Sequence, residues 1–366
     1  MSGIRPLERD DLDGVALLFE QVMGSGTSSR PQVRRYFERI LLDDPWADPD
    51  IPSLVHETAE GEVAGFIGAS TRRVRIDGRA ARVAVSSNLV VRPDQRPRGV
   101  GALLLRRLMG GPQDVTLADR SNDDSLRMWR ELGGQELVHA SVGWYRVLRP
   151  GRAADALLGS RAGEGVVRRV TRAVAAPVDG IATRMGSRVP RLATEPPEPD
   201  GSREPMTVSD LLEQMSSIGR RVRLYPDYDA AFLRWVFDEV GALPRVGRVV
   251  SRLVRGKGGR IAGWFVYALP ERGVAQVLQV GVPGNDPDPV MDHLFRQAWE
   301  DGAAVVHGRL EPALSGVLSR PGVVVRRSAR ALVASEDSTA LALLGTTRSL
   351  MSHLDGEWLV SHARRL

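Results

Sequence analysis

One stretch constrains this chain more than any other: Val90-Val91-Arg92-Pro93-Asp94-Gln95-Arg96-Pro97-Arg98-Gly99-Val100-Gly101-Ala102-Leu103-Leu104. An apolar strand runs into a basic turn with two glycines and leaves it as a helix. A handover this short leaves the N–H groups of the turn and first helical turn without intrahelical partners, facing one spot with the positive end of the helix dipole behind them. That arrangement is an anion cradle, suited to a pyrophosphate. Gly99 and Gly101 permit close backbone approach, and Arg96 and Arg98 add charge at the rim. Pro97 removes one amide from the loop.

The flanking pattern says what kind of domain holds the cradle. Leu12, Val15, Leu18, Phe19 and Val22 share one face of a helix expected over 11–23, capped by Asp10 and ended by Gly24. A second short helix is expected over 32–42. Strands at 53–58, 62–75 and 79–91, with turns at Glu60-Gly61 and Asp77-Gly78, read as an antiparallel meander. After the cradle come a helix at 100–109, a strand at 114–119, a helix at 123–132 and strand pattern to 148. The second half repeats much of this order: a helix at 228–237, strands at 260–269 and 274–282, a helix at 289–301, a strand at 304–310, a short helix at 312–319 and strand pattern over 322–335. Val63-Ala64-Gly65-Phe66 is answered by Ile261-Ala262-Gly263-Trp264, each one strand before an apolar strand ending in proline, at Arg92-Pro93 and Val282-Pro283. The shared order points to a degenerate tandem repeat.

Composition narrows the chemistry. The 366 residues include no cysteine, which excludes disulfides, thiolate nucleophiles and cysteine-ligated metals, and Lys257 is the only lysine. The six histidines form no His-x-x-x-His pair, and no Gly-x-Ser-x-Gly elbow is present. No apolar run is long enough to span a bilayer, and the charged start lacks a leader pattern, so a cytoplasmic protein with no membrane partner is expected. From Arg152 to Arg191 eight arginines face three acids, an excess equal to the whole net charge of +5. Without interleaved aromatics, that stretch reads as a connector rather than a nucleic-acid surface. The expected organisation is a domain over 1–150, a basic, partly helical connector with a Pro-rich linker over 151–207, and a degenerate domain over 208–366. Oligomeric state is not legible.

The cradle resembles the phosphate loop of the GNAT superfamily of acyl-CoA-dependent N-acetyltransferases. That loop reads Arg or Gln, two residues, Gly, one residue, Gly or Ala, matched here by Arg96-Pro97-Arg98-Gly99-Val100-Gly101. Asn122-Asp123-Asp124-Ser125-Leu126-Arg127-Met128-Trp129-Arg130-Glu131-Leu132-Gly133-Gly134 is similar to the family's next helix, which opens with Asn. The resemblance covers about 4–148 and, more faintly, 225–358. It implies an α+β fold of two GNAT-like domains, each a mixed, mostly antiparallel sheet flanked by helices.

It also implies roles. Leu89, Val90 and Val91 would be the strand that pairs with the pantetheine arm. The amides of Arg98, Gly99, Val100, Gly101 and Ala102, with Arg96, would hold the pyrophosphate of acetyl-CoA, and Asn122 would stand beside the cofactor. The activity implied is acetyl transfer to a primary amine of a small molecule or sugar. Trp129 stands where the family often has a tyrosine acid, and indole cannot supply that proton. Tyr145 is the candidate substitute, and Glu57 and Asp119 are the candidate bases, since the strand over 82–91 carries no carboxylate. A water chain ending at Ser86, Ser87 or Asn88 would do the same work without a single base. The alternative is a non-catalytic acyl-CoA sensor or partner-binding protein. The second repeat's turn, Val282-Pro283-Gly284-Asn285-Asp286-Pro287-Asp288-Pro289, is acidic and amide-poor, so it is not expected to bind CoA.

Overall fold

The computed structural model describes residues 3–149 except 25 and 27, 152–153, and 195–363 except 244 and 272. Residues 151 and 154–194 of the basic connector expected over 151–207 lie outside the described residues.

The chain divides into two units, each discontinuous in sequence. The first is built from 1–138, 222–245 and 329–366 and the second from 139–221 and 246–328. The boundaries therefore differ from those expected at 150 and 207. The reason is strand placement, which local sequence patterns do not encode.

The first unit opens with strand β1 (Gly3–Pro6) and helix α1 (Leu12–Met23), which buries Leu12, Val15, Leu18 and Phe19. Gly24 ends α1 at φ 76°. Helix α2 (Arg30–Phe37) starts at a capping box of Ser29 and Gln32. Strands β2 (Leu54–Glu57), β3 (Val63–Ile76) and β4 (Arg79–Val91) form the meander. Asp77 and Gly78 both have positive φ, as a two-residue hairpin between right-twisted strands requires. Then come α3 (Val100–Met109), β5 (Val115–Ser121), α4 (Asp123–Glu131) and β6 (Gln135–Glu136).

Strand β7 (Val142–Val147) follows β6 in sequence but joins the second unit's sheet. The first sheet instead receives β15 (Arg330–Ala334) from the far end of the chain, giving the order β1-β2-β3-β4-β5-β15-β6. Only β4 and β5 run parallel. Strand β9 (Leu224–Pro226) pairs with β3, and helices α6 (Ala230–Gly241) and α8 (Ser338–Leu344) complete this unit. Trp46 stacks on Phe232 of α6 with ring centroids 3.8 Å apart, and the buried Asp44–Arg72 pair lies 3.1 Å apart with Arg72 over the same phenyl ring.

In the second unit, β8 (Ser202–Pro205), helix α5 (Val208–Ile218), β10 (Arg248–Arg255), β11 (Ile261–Leu269), β12 (Val274–Gly281), helix α7 (Asp288–Glu300), β13 (Val305–Arg309) and β14 (Val323–Arg327) are ordered β14-β7-β13-β12-β11-β10-β8. The single parallel pair is β12–β13. The run β3-β4-β5-β15-β6 thus has its counterpart in β11-β12-β13-β7-β14, with the exchanged strand at the same place in each. Two mixed, mostly antiparallel sheets with flanking helices make the α+β tandem architecture, and the paired Val63–Phe66 and Ile261–Trp264 segments open equivalent strands.

Candidate functional site

Strands β3 and β4 pair in step from Ile76–Arg79 to Gly68–Ser87, and then the register slips. Phe66 faces Val90 and Gly65 faces Val91, so Asn88 and Leu89 together stand opposite Ile67. Asn88 takes φ 50°. This is a β-bulge, and it turns backbone groups of Asn88 and Leu89 out of the ladder. On its other side β4 pairs with β5 only at Val83–Val115, Ala84–Thr116 and Val85–Leu117. Beyond that point the ladder stops, and Asn88, Leu89, Arg120 and Ser121 are half-buried, while the Asp119 side chain is only 8% exposed.

The chain leaves β4 through a 3-10 turn, Pro93–Arg98, and enters α3 through Gly99 at φ 73°, a conformation that favours glycine. The Gly99 N–H donates to the Arg96 carbonyl at 3.0 Å. Among the described residues no side chain caps α3, so no side-chain oxygen of theirs takes the N–H groups of Val100, Gly101 and Ala102. Arg92 is tied to Asp94 and Glu62. Arg96 donates through Nε to the Val91 carbonyl at 3.1 Å and Arg98 to the Gln95 side chain at 3.3 Å. Among the described residues neither Arg96 nor Arg98 meets a carboxylate, so the charge of both remains for a ligand. Its field is felt locally: burial and then the Arg98 charge hold the His56 imidazole below its ordinary range. Asn122 is the N-cap of α4, its Oδ1 accepting from Ser125 N at 2.9 Å. Trp129 is a core residue, buried with Leu104, Leu105 and Leu126.

The three acid–base candidates are placed very differently. Glu57 sits on β2 in an ion pair with Arg5 at 2.6 Å, and Arg5 also grips Asp11. Three strand spacings separate β2 from β5, roughly 14 Å. Tyr145, expected on a strand near the first domain's site, belongs instead to β7 in the second sheet, where it stacks on His307 at 4.2 Å. Strand exchange carried it there. Asp119 alone stands where β4 and β5 part.

Two neighbours of Asp119 escaped sequence reasoning. The Glu357 backbone N–H donates to Asp119 Oδ1 at 3.1 Å, and His353 Nδ1 lies 3.9 Å from Oδ2. Burial and then the Asp119 charge push the Glu357 carboxyl well above its ordinary range. A Cβ at Gly356 would stand 2.0 Å from Asp119 Oδ2, so only glycine lets the segment approach this closely. The available signal was a His and two acids set within the largely apolar stretch from Leu350 to Val360. Beside β3, a cavity of about 350 Å³ is lined by Leu7, Leu41, Asp44, Ile51, Ser70 and Thr71. The buried Ser70 and Thr71 hydroxyls there have no hydrogen-bond partner among the described residues.

The second unit repeats the backbone and changes the contents. β12 and β13 pair only at Val274–Val305, Ala275–Val306 and Gln276–His307. Past that point the indoles of Trp264 and Trp144 lie against Gly281 and Gly308, close enough that a Cβ at either glycine would collide with them. Residues Val277 to Gly281 are all buried. At α7, Asp286 accepts from Asp288 N at 3.0 Å, and Arg320 pairs with Asp288 and Asp292.

Residues 21–133, which hold the meander, the bulge and the cradle, match the family model described as Acetyltransferase (GNAT) family. Over that stretch the chain is similar to GNAT acetyltransferases. Solved structures agree on the fold over most of the chain. A GCN5-related N-acetyltransferase from Anabaena variabilis ATCC 29413 superposes with TM-score 0.57 at 11% identity, covering 92% of this chain and 73% of that one. A probable N-acyltransferase from Enterococcus faecalis V583 gives 0.56 at 10% identity over 93% and 74%. Saccharomyces cerevisiae N-myristoyltransferase with bound myristoyl-CoA gives 0.51 at 11% over 91% and 82%. No curated protein sequence matches the chain significantly. Among the described residues, no helix is long and apolar enough to cross a membrane.

Proposed function

We propose that this protein is an N-acetyltransferase that moves the acetyl group of acetyl-CoA to a primary amine of a small molecule or sugar. The carrying observation is the uncapped N-terminus of α3 with Arg96 and Arg98 free of carboxylates, a donor set matched to a pyrophosphate. The N–H groups of Val100, Gly101 and Ala102 take the phosphate oxygens while Gly99 supplies the turn. Leu89, Val90 and Val91 hold the pantetheine arm, and Asn122 contacts it from the opposite side.

The amine attacks the thioester carbonyl, a C–N bond forms, the C–S bond breaks, and CoA leaves as thiolate. A backbone N–H released by the bulge at Asn88 and Leu89 is placed to meet the oxyanion. The amine nitrogen must lose a proton, and Asp119 is the acceptor we propose. Glu57, spent on Arg5, and Tyr145, in the other sheet, are weaker claimants. The size of the cavity beside β3 supports a small acceptor. The cytoplasm, where an acyl-CoA pool is at hand, is the compartment we propose.

Calorimetric titration with acetyl-CoA and CoA, followed by thiol release against a panel of amines, tests this reading. One site per chain with release on some amine establishes acetyl transfer. Binding without release on any amine favours the sensor reading, which the core role of Trp129, where the family often has a tyrosine acid, supports. No binding overturns both.

A further inference from the structure

On its outer edge β3 pairs with β2 as far as Ile67 and with β9 from Val74, so among the described residues Gly68 to Arg73 have no strand beside them there. The cavity of about 350 Å³ fills that gap, walled by the end of β1 and the chain from Leu41 to Ser53. Successive side chains of a strand point to opposite faces, and an open edge is reached from both, so the neighbours Ser70 and Thr71 both line it. The backbone along this edge is satisfied: Ser53 Oγ accepts from Ala69 N at 3.0 Å, and Arg72 Nη1 donates to the Thr71 carbonyl at 2.7 Å. The two carboxylates in the wall are also engaged. Asp44 accepts from Trp46 N at 2.8 Å and Arg72 Nη1 at 3.1 Å, and Asp48 from Asp50 N at 2.9 Å and Arg82 Nη1 at 3.0 Å. Each carboxylate oxygen has a donor and each negative charge an arginine, so the wall holds no surplus charge for an ion. What remains are the Ser70 and Thr71 hydroxyls, 4% and 3% exposed and without partners among the described residues.

A buried hydroxyl left unpaired costs free energy, and it both donates and accepts, so an uncharged hydroxyl or amide group completes it best. Leu7, Leu41 and Ile51 offer apolar wall for the carbon skeleton of such a molecule. Water alone is a poor match, since the space would take on the order of ten molecules and two hydroxyls hold only a few. The place matters as well. Ser70 faces Val85, the last residue of β4 to pair with β5, so its hydroxyl stands one strand spacing, about 5 Å, from β4 at the level where β4 and β5 part. Further along the same face the buried Ser87 hydroxyl lies over Gly68, 2.6 Å from where a Cβ would stand, and it too has no partner among the described residues. Ser87 directly precedes the bulge. We infer that the cavity binds the uncharged, hydroxyl- or amide-bearing part of the acceptor, with Ser70 and Thr71 as its hydrogen-bonding residues, and that it rejects charged groups. That the occupant is the acceptor rests on the acetyl-transfer reading; the binding of uncharged polar groups does not. The amine is the end left outside, toward Ser87.

The test compares the full-length protein with Ser70→Ala, Thr71→Val and the double variant, which delete the hydroxyls with little change of shape. Removing an unpartnered buried hydroxyl should leave the thermal midpoint unchanged or raise it, whereas a structural role would lower it. Binding is read by saturation-transfer NMR with glycerol, inositol, glucose and acetamide as uncharged probes and 1,4-diaminobutane and succinate as charged ones. At least one uncharged probe should bind and neither charged one, with the signal lost in the double variant. In turnover, the KM of a hydroxylated amine such as glucosamine should rise about tenfold in each single variant, the worth of one good hydrogen bond. Its kcat, the acetyl-CoA affinity and the KM of hexylamine should stay as in wild type. Failure of every uncharged probe overturns the site, as does stronger binding of a charged probe, a signal the double variant leaves intact, or a lowered midpoint with KM unmoved. If hydroxylated amines are acetylated with KM indifferent to both substitutions, the transfer reading stands and this inference falls. If the uncharged probes and acetyl-CoA bind yet no amine is acetylated, the site stands and the transfer reading falls.

Discussion

The two parallel strand pairs, β4–β5 and β12–β13, come apart after the same number of residues, yet one parting is furnished for a ligand and the other for a core. In the first unit the parting strands present Asn88, Leu89 and Ser121 half-buried, and the following helix begins bare of side-chain caps. In the second unit Val277 to Gly281 are buried, Trp144 and Trp264 pack on the strand glycines, and carboxylates of Asp286 and Asp288 occupy the start of α7. Backbone topology alone therefore does not make a coenzyme site. In the second unit aromatic rings fill the space between the strands, and the Asp286 carboxylate, which takes the Asp288 N–H, would meet an incoming phosphate with like charge.

The comparison can be broken most severely by cutting the chain. A fragment over 1–150 contains the whole cradle but lacks β15, so circular dichroism and calorimetry should find no cooperative unfolding and no acetyl-CoA binding; a folded, binding fragment would mean that the exchanged strand is dispensable. Gly99→Glu in the intact protein should weaken acetyl-CoA by more than about 10³-fold, since a side chain at φ 73° is strained and its charge opposes the phosphates. Arg96→Ala and Arg98→Ala should each cost about tenfold, with a smaller loss at high salt. Gly284→Glu, in the second unit's turn, should leave affinity within experimental error. An effect comparable to that of Gly99→Glu would show that the acidic turn binds coenzyme after all.

A subtler test concerns pH. Because the Glu357 carboxyl titrates higher in the fold than in the unfolded chain, the folded state holds the proton more tightly, and stability should fall as pH rises above the usual glutamate value of 4.5. Urea unfolding at about pH 5 and about pH 8 should show a slope of at most ~1.4 kcal/mol per pH unit from this group, and Glu357→Gln should flatten it.

Local chemistry was legible to within a residue or two. The spans of β3, β4, α3 and α4 follow from two- and 3.6-residue periodicity, and the cradle from its glycines. Helix α5 carries both a capping box of Thr207 and Asp210 and an apolar stripe of Leu211, Met215 and Ile218 that the reading passed over, while β10 alternates weakly. Strand exchange was invisible because β7 and β15 have the composition of any half-buried strand; nothing in Val142–Val147 says which neighbour it will take. Glu357 was missed for a related reason. A carboxylate in a sequence looks the same whether water or another carboxylate lies beside it, and only the fold brings residue 357 to residue 119.

The exchange of β7 and β15 also bears on how the protein comes into being. As synthesis proceeds, β5 and β6 emerge long before the strand that must lie between them, so an unpaired edge persists until residue 334 has left the ribosome. Contacts so distant along the chain close slowly, and open strand edges recruit other chains meanwhile. Completion of the first sheet therefore waits on nearly the whole chain, and its yield in a cell should depend on chaperones that shield that edge.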